Sequence, residues 1–142
     1  MDKHKNKQLP LFPGVSFEEF FQQFHDKELF TFCNAQGESK HLTGKMLEQK
    51  VKLLVEKLDT HLKPQEKVIL ILPQGLEYIC SILACFHSNV TAIPTSIVSI
   101  MNGTELTSKI KPILSDSNAK CIITNTVFKK LLEDDSEFSN KL

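Results

Sequence analysis

Residues 67–96, KVILILPQGLEYICSILACFHSNVTAIPTS, decide the fold. Val68 to Leu72 are five consecutive apolar residues rich in branched side chains, which suits a strand covered on both faces, as in parallel sheets. Pro73, Gln74 and Gly75 end that strand. From Leu76 onward, Leu76, Ile79, Ile82, Leu83 and Phe86 recur at three and four, which places them on one helical face. Glu77 stands in the first turn, where the helix dipole favours an anion. The helix is expected to stop near Ser88 and Asn89. A second short apolar segment, Thr91 to Ile93, leads to Pro94. A strand, helix, strand order of this length predicts one βαβ unit with a right-handed crossover between parallel neighbours.

Working outward, bulk properties limit what that unit can belong to. The chain has 142 residues, 41% hydrophobic and 24% charged, which fits one globular domain. Seventeen basic residues balance seventeen acidic ones, so no strong field exists to hold a nucleic-acid backbone or an anionic membrane surface. Of the four cysteines, Cys33, Cys80, Cys85 and Cys121, none forms a CxxC pair and three fall inside apolar runs. Buried free thiols are therefore expected in preference to a metal or redox site. The N-terminus, MDKHKNKQLPLFPG, lacks the apolar core of a secretory signal, so the sequence predicts a cytoplasmic protein. The most apolar region, Tyr78 to Phe86, falls far short of the roughly 20 residues a spanning helix needs, so no membrane span is expected. Without export, the triplets Asn89-Val90-Thr91 and Asn102-Gly103-Thr104 read as chance glycosylation patterns.

Residues 1–14, polar and interrupted by Pro10 and Pro13, read as a flexible lead-in. Ser16 and Glu19 form a capping-box pattern for a helix carrying Phe17, Phe20, Phe21 and Phe24 as an aromatic stripe, a pattern that packs on a core more often than on a lipid or cofactor. Glu28 to Cys33 reads as a strand, Asn34 to Glu38 as a turn containing Gly37, and Lys40 to Leu42 as the returning hairpin partner. Thr43 can cap a helix in which Met46, Leu47, Val51, Leu54, Val55 and Leu58 oppose Lys45, Glu48, Lys52 and Glu56. After the βαβ unit a further helix is expected to be capped at Thr104, with Leu106, Ile110, Ile113 and Leu114 on one face. Pro112 is expected to bend or break it. Lys120 to Thr124 reads as a third buried strand and Val127 to Leu132 as a short helix. The organisation expected is a lead-in at 1–14, a domain at 15–133 and a polar tail at 134–142, without internal repeats.

Motifs for chemistry are mostly missing. Gly44-Lys45 resembles the end of a phosphate loop, but Ser39 stands where the first glycine is needed and Met46 where Ser or Thr is required. GxGxxG, HExxH and GxSxG do not occur. His4, His25, His41, His61 and His87 have no carboxylate or cysteine at ligand spacing, and His87, near a helix end, reads as a complement to the helix dipole. Asp134 and Asp135 read as solvated charge rather than as an acid-base pair.

These residues together resemble the N-terminal portion of an adenylate-forming enzyme, closest to the fatty acyl-AMP ligases. In that family a Phe-rich helix precedes a hairpin with a D/N-x-x-G-E turn, here Asn34-Ala35-Gln36-Gly37-Glu38, and then an LTYxEL helix start, here Leu42-Thr43-Gly44-Lys45-Met46-Leu47 with Gly44 replacing the aromatic residue. Leu72-Pro73-Gln74-Gly75-Leu76-Glu77-Tyr78 resembles the family's LPQGLEF/Y segment. Ser88 to Pro94 stands for AGAxxVP, with Ser88-Asn89 in place of the small pair; Asn tolerates the left-handed conformation that Gly would supply. Ile113 to Thr124 resembles ILxDxxAxxIIT.

The resemblance spans about residues 15–125 and implies an α/β fold: a small, mostly parallel sheet of βαβ units flanked by helices, with an N-terminal β-hairpin, forming part of the large N-terminal lobe. It implies that a complete member activates a fatty acid with ATP and magnesium to acyl-adenylate and pyrophosphate, then passes the acyl group to an acyl carrier protein. The family's phosphate loop, ribose-binding acid and catalytic lysine lie beyond the point matching Leu142. No catalytic, cofactor-binding or metal-ligating residue is therefore assigned to this chain, and any ligand contact is expected at Pro73 to Gly75 and Pro94 to Ser96. Three readings stay open: a ligase fragment inactive until the remainder or a complementary polypeptide completes it, a non-catalytic interaction module, and an independent small-ligand binder.

Overall fold

Backbone polarity and side-chain alternation set the centre of the molecule. Strand β3, Lys67–Ile71, puts Val68 and Leu70 on one face and Ile69 and Ile71 on the other, and all four are fully buried. The computed structural model describes residues 15–96 and 102–142; the lead-in at 1–14, with His4 and Gly14, lies outside the described residues. Two edge strands pair with β3 in parallel: β4, Thr91–Pro94, on one side and β5, Cys121–Thr124, on the other. The βαβ unit read from the sequence is present. β5 is buried only at Ile122, because as an edge strand it lacks the double cover of β3.

Helices cover both faces. Helix α1, Phe17–Gln23, helix α2, Gly44–His61, and helix α3, Leu76–His87, pack with Val68 and Leu70. Helix α4, Gly103–Ser117, helix α5, Thr126–Leu132, and helix α6, Ser136–Ser139, pack with Ile69, Ile71 and Ile122. The β3–β4 connection thus crosses one face and the β4–β5 connection the other.

Local chemistry fixes the element ends. Ser16 Oγ accepts from Glu19 N while Glu19 returns to Ser16 N, completing the capping box. Strands β1, Glu28–Cys33, and β2, Ser39–Thr43, form the antiparallel hairpin. In its turn Asn34 Oδ1 accepts from Gln36 N and Glu38 N, and Gly37 takes φ 81°. Thr43 caps α2 as expected, and Leu47, Val51 and Leu58 are buried; Met46 is exposed instead. Asn89 adopts the left-handed conformation at φ 53°. Beside it, Ser88 Oγ is buried without a hydrogen-bond partner among the described residues.

Other details depart from the sequence reading. Asn102, two residues earlier than Thr104, caps α4, because its side chain reaches Glu105 N at 2.9 Å. α4 runs unbroken through Pro112; Ser108, whose carbonyl loses its helical donor there, is exposed, so water can satisfy it. The polar end of the chain packs back on the domain, and Asp135 is paired rather than merely solvated. Asp135 caps α6 and sits 2.7 Å from Lys111 Nζ, Phe138 is fully buried, and the Lys141 carbonyl accepts Ile122 N–H at 2.7 Å. One buried aromatic ring in an otherwise polar stretch outweighs its composition. The Lys111 hydrogen bond holds the Asp135 carboxyl below its usual range. This contact is present above the unfolded aspartate value and is lost as pH falls through the lowered one.

Gly44 has a packing reason. Its N–H bonds the Lys27 carbonyl at 3.0 Å, and a Cβ there would stand 2.2 Å from the Phe24 carbonyl oxygen. Gly75 has open space instead. Gly44→Ala is expected to lower stability by about 1–3 kcal/mol, the cost of overpacking, in urea unfolding, while Gly75→Ala changes it little; equal midpoints for wild type and Gly44→Ala would contradict the close approach.

Candidate functional site

The carboxyl ends of the parallel strands are where the sequence places ligand contact, and the fold brings the two segments together. Leu70 lies opposite Pro94 in the β3–β4 register, so the turn Pro73–Gly75 and the segment Pro94–Ser96 leave the sheet side by side. Pro73, Gln74, Pro94 and Ser96 are exposed or partly so. Gly75 is the cap of α3 and offers no side chain to the first-turn N–H groups.

Two hydroxyls that periodicity could not single out organise this end. Thr95 Oγ1 donates to the Leu70 carbonyl at 2.8 Å, and Thr124 Oγ1 donates to the Ile71 carbonyl at 2.9 Å. Each stitches an edge strand to the last carbonyls of β3, so both groups are engaged in structure. A Thr just past an apolar run is the only sequence signal for them. Among the described residues no three His, Cys, Asp or Glu side chains group as metal ligands.

The described histidines stay apart. His25 pairs with its neighbour Asp26, and His41 Nδ1 lies 2.9 Å from Glu28 Oε1 on the exposed hairpin. Hydrogen bonds from Thr31 and then His41 hold Glu28 below the usual carboxylate range. The His87 ring packs against Phe17, tilted by 58° with ring centres 5.2 Å apart. These are surface or packing contacts on separate elements.

An open groove of about 540 Å³ lies at the opposite end of the sheet. It is lined by Ile93, Pro112 and Ile113 together with Lys67, Thr91, Asp116 and Ser117. It forms where the last turns of α4 pass the first residues of β3 and β4. No sequence motif marks it, because its walls come from three separated segments.

Three comparisons bear on this arrangement. No family profile matches the chain. The medium-chain fatty-acid acyl-carrier-protein ligase JamA of Moorena producens is 28% identical over 109 residues, 76% of this chain and 18% of JamA. A fatty acyl-adenylate ligase of Legionella pneumophila, solved with acyl adenylate and pyrophosphate, superimposes with a TM-score of 0.74 at 22% identity, over 87% of this chain and 21% of that one. The N-terminal subdomain of Klebsiella oxytoca NpsA, solved with anthranilyl-AMSN, gives 0.62 at 20% identity, over 78% and 26%. The fold is that of the N-terminal part of an adenylate-forming enzyme. The chain spans about a fifth of the length of the ligases it matches. The LPQGLEY segment that carries the resemblance to fatty acyl-AMP ligases forms the β3–α3 turn and the first turn of α3 in this fold. No helix of the described residues is long and apolar enough to cross a membrane.

The thiols of this adenylate-forming fold are divided by burial. Cys33 is exposed, Cys80 and Cys85 are buried, and Cys121 is half-buried. Burial pushes Cys85 up to about 12 from an ordinary 9.0, and raises Cys80 and Cys121. Stability from the neutral Cys85 thiol is full below pH 9.0 and is lost as pH rises toward 12. Native alkylation at pH 8 read by peptide mass spectrometry is expected to label Cys33 first, with Cys85 at least about a hundredfold slower until the chain unfolds. Equal rates at Cys33 and Cys85 in the native state would contradict the burial.

Proposed function

We propose that this chain supplies the first structural layer of a fatty acyl-AMP ligase and none of the groups that grip nucleotide. The unit is read as residues 15–133, with 134–142 packed back on it. The observation that carries the proposal is the LPQGLEY segment placed at the β3–α3 turn of a fold shared with fatty acyl-adenylate ligases. In the completed enzyme, fatty acid would react with ATP and magnesium to give acyl-adenylate and pyrophosphate, and the acyl group would pass to an acyl carrier protein. The remaining four-fifths, on the same or a second polypeptide, would bring the phosphate loop, the ribose-binding acid and the catalytic lysine.

What this chain contributes is position. β3 is fixed by burial on both faces, and the carboxyl ends of β3 and β4 carry the two exposed segments that would form one wall of the acyl or nucleotide cleft.

The 142-residue chain alone is expected to show no fatty-acid-dependent pyrophosphate release. A chimera in which it replaces the matched 109 residues of JamA is expected to show it. Release by the isolated chain, or a folded chimera without release, would overturn the proposal.

A further inference from the structure

Helix α3 is built unlike the other two long helices. α2 and α4 turn charged side chains to water, with Lys45, Lys52 and Glu56 exposed on the first and Lys109 and Lys111 on the second. Between Glu77 and His87, α3 carries no charged residue. Its serine, Ser81, is buried and turns its hydroxyl back to the Glu77 carbonyl at 2.8 Å. A helix apolar on every side belongs inside a body of protein or across a membrane. The 12 residues of α3 are too few to cross one, since a span needs roughly 20.

The core takes up only the small side of this helix, where Cys80, Ser81, Ala84 and Cys85 are buried. The large residues Ile79, Ile82, Leu83 and Phe86 recur at the i, i+3, i+4, i+7 spacing of a single helical stripe and form a ridge on the other side. Ile79, Ile82 and Leu83 touch the core with only part of their surface, and Phe86 is 50% exposed. On α2, which packs beside α3, Met46 and Leu53 lie on one line of the helix and are 43% and 62% exposed. Single exposed apolar residues are ordinary. A stripe of large ones on an uncharged helix marks a surface made to be covered.

We infer that α3 is an interior helix of the completed enzyme: an apolar face from the remaining four-fifths of the ligase lies over the ridge of Ile79, Ile82, Leu83 and Phe86. This rests on the ligase reading above. The relatives' own length argues for that occupant, since the shared fold belongs to chains about five times longer, and a longer chain can supply a further layer. A second copy of this chain fits poorly. The ridge leaves at most a few hundred Å² in water, less than the roughly 800 Å² per partner that a specific interface buries. The occupant is therefore apolar where it meets α3 and is held in place by contacts elsewhere in the same enzyme.

The test puts a thiol on the ridge and asks where a water-borne reagent reaches it. Phe86→Cys is made in the 142-residue chain and in the JamA chimera, and each folded protein is alkylated at pH 8 and read by peptide mass spectrometry. In the chain alone the new thiol is expected to react within about threefold of Cys33, and in the chimera at least about tenfold more slowly than in the chain alone. Phe86→Glu is expected to leave the melting temperature of the isolated chain within about 2 °C and to lower pyrophosphate release by the chimera about tenfold or more, because it buries an unpaired charge there. Equal labelling in both settings, or full release by the Phe86→Glu chimera, would show that the ridge stays in water and overturn the inference alone. Slow labelling already in the isolated chain would show that this chain covers its own ridge, and would likewise overturn the inference alone. A wild-type chimera that melts cooperatively but releases no pyrophosphate overturns the ligase reading, while the labelling comparison still decides the place of α3. A wild-type chimera without a cooperative melt overturns both.

Discussion

Everything in this molecule depends on one strand being dry on both sides. Val68, Ile69, Leu70 and Ile71 are each completely buried. At roughly 1.5–3 kcal/mol per large apolar side chain, these four contribute at most about 6–12 kcal/mol, comparable with the whole stability of a domain. That stabilisation requires a helical layer above and another below. α1, α2 and α3 supply one, and α4, α5 and α6 supply the other. The order β4-β3-β5 gives this central strand a neighbour on each side for its backbone groups.

Much of this was legible in the sequence because short-range chemistry and tertiary packing agree. A continuous branched apolar run marked β3, and Asn34 with Gly37 marked the hairpin turn. Ser16 with Glu19 marked the start of α1. The left-handed role expected of Asn89 is the conformation it takes. The family resemblance rested on the same turn residues, and the shared fold bears it out. Gly44 was a departure from the family pattern whose reason appears only in three dimensions, where α2 starts hard against the Phe24 carbonyl.

What was not legible came from choices that periodicity leaves open. α3 is apolar nearly all round, so its pattern could not tell which side faces inward. The buried side proves to be the small one, Cys80, Ser81, Ala84 and Cys85, while Phe86 is half exposed. Small side chains let the helix sit close to the sheet and to α2. The acidic end hid a single anchoring ring, Phe138, behind its charges, and the groove beside β4 has walls from segments far apart in the chain. At the carboxyl ends of the strands, the two segments singled out in the sequence lie side by side, and the two structural hydroxyls there, Thr95 and Thr124, carry no motif.

The fold described here requires β3 to stay covered and fixed. Native-state hydrogen exchange followed residue by residue measures that directly. The amides of Ile69, Leu70 and Ile71 should be the slowest in the molecule and should exchange only with global unfolding, with the β1–β2 hairpin opening earlier. Exchange of the β3 amides while the flanking helices stay protected would contradict the account.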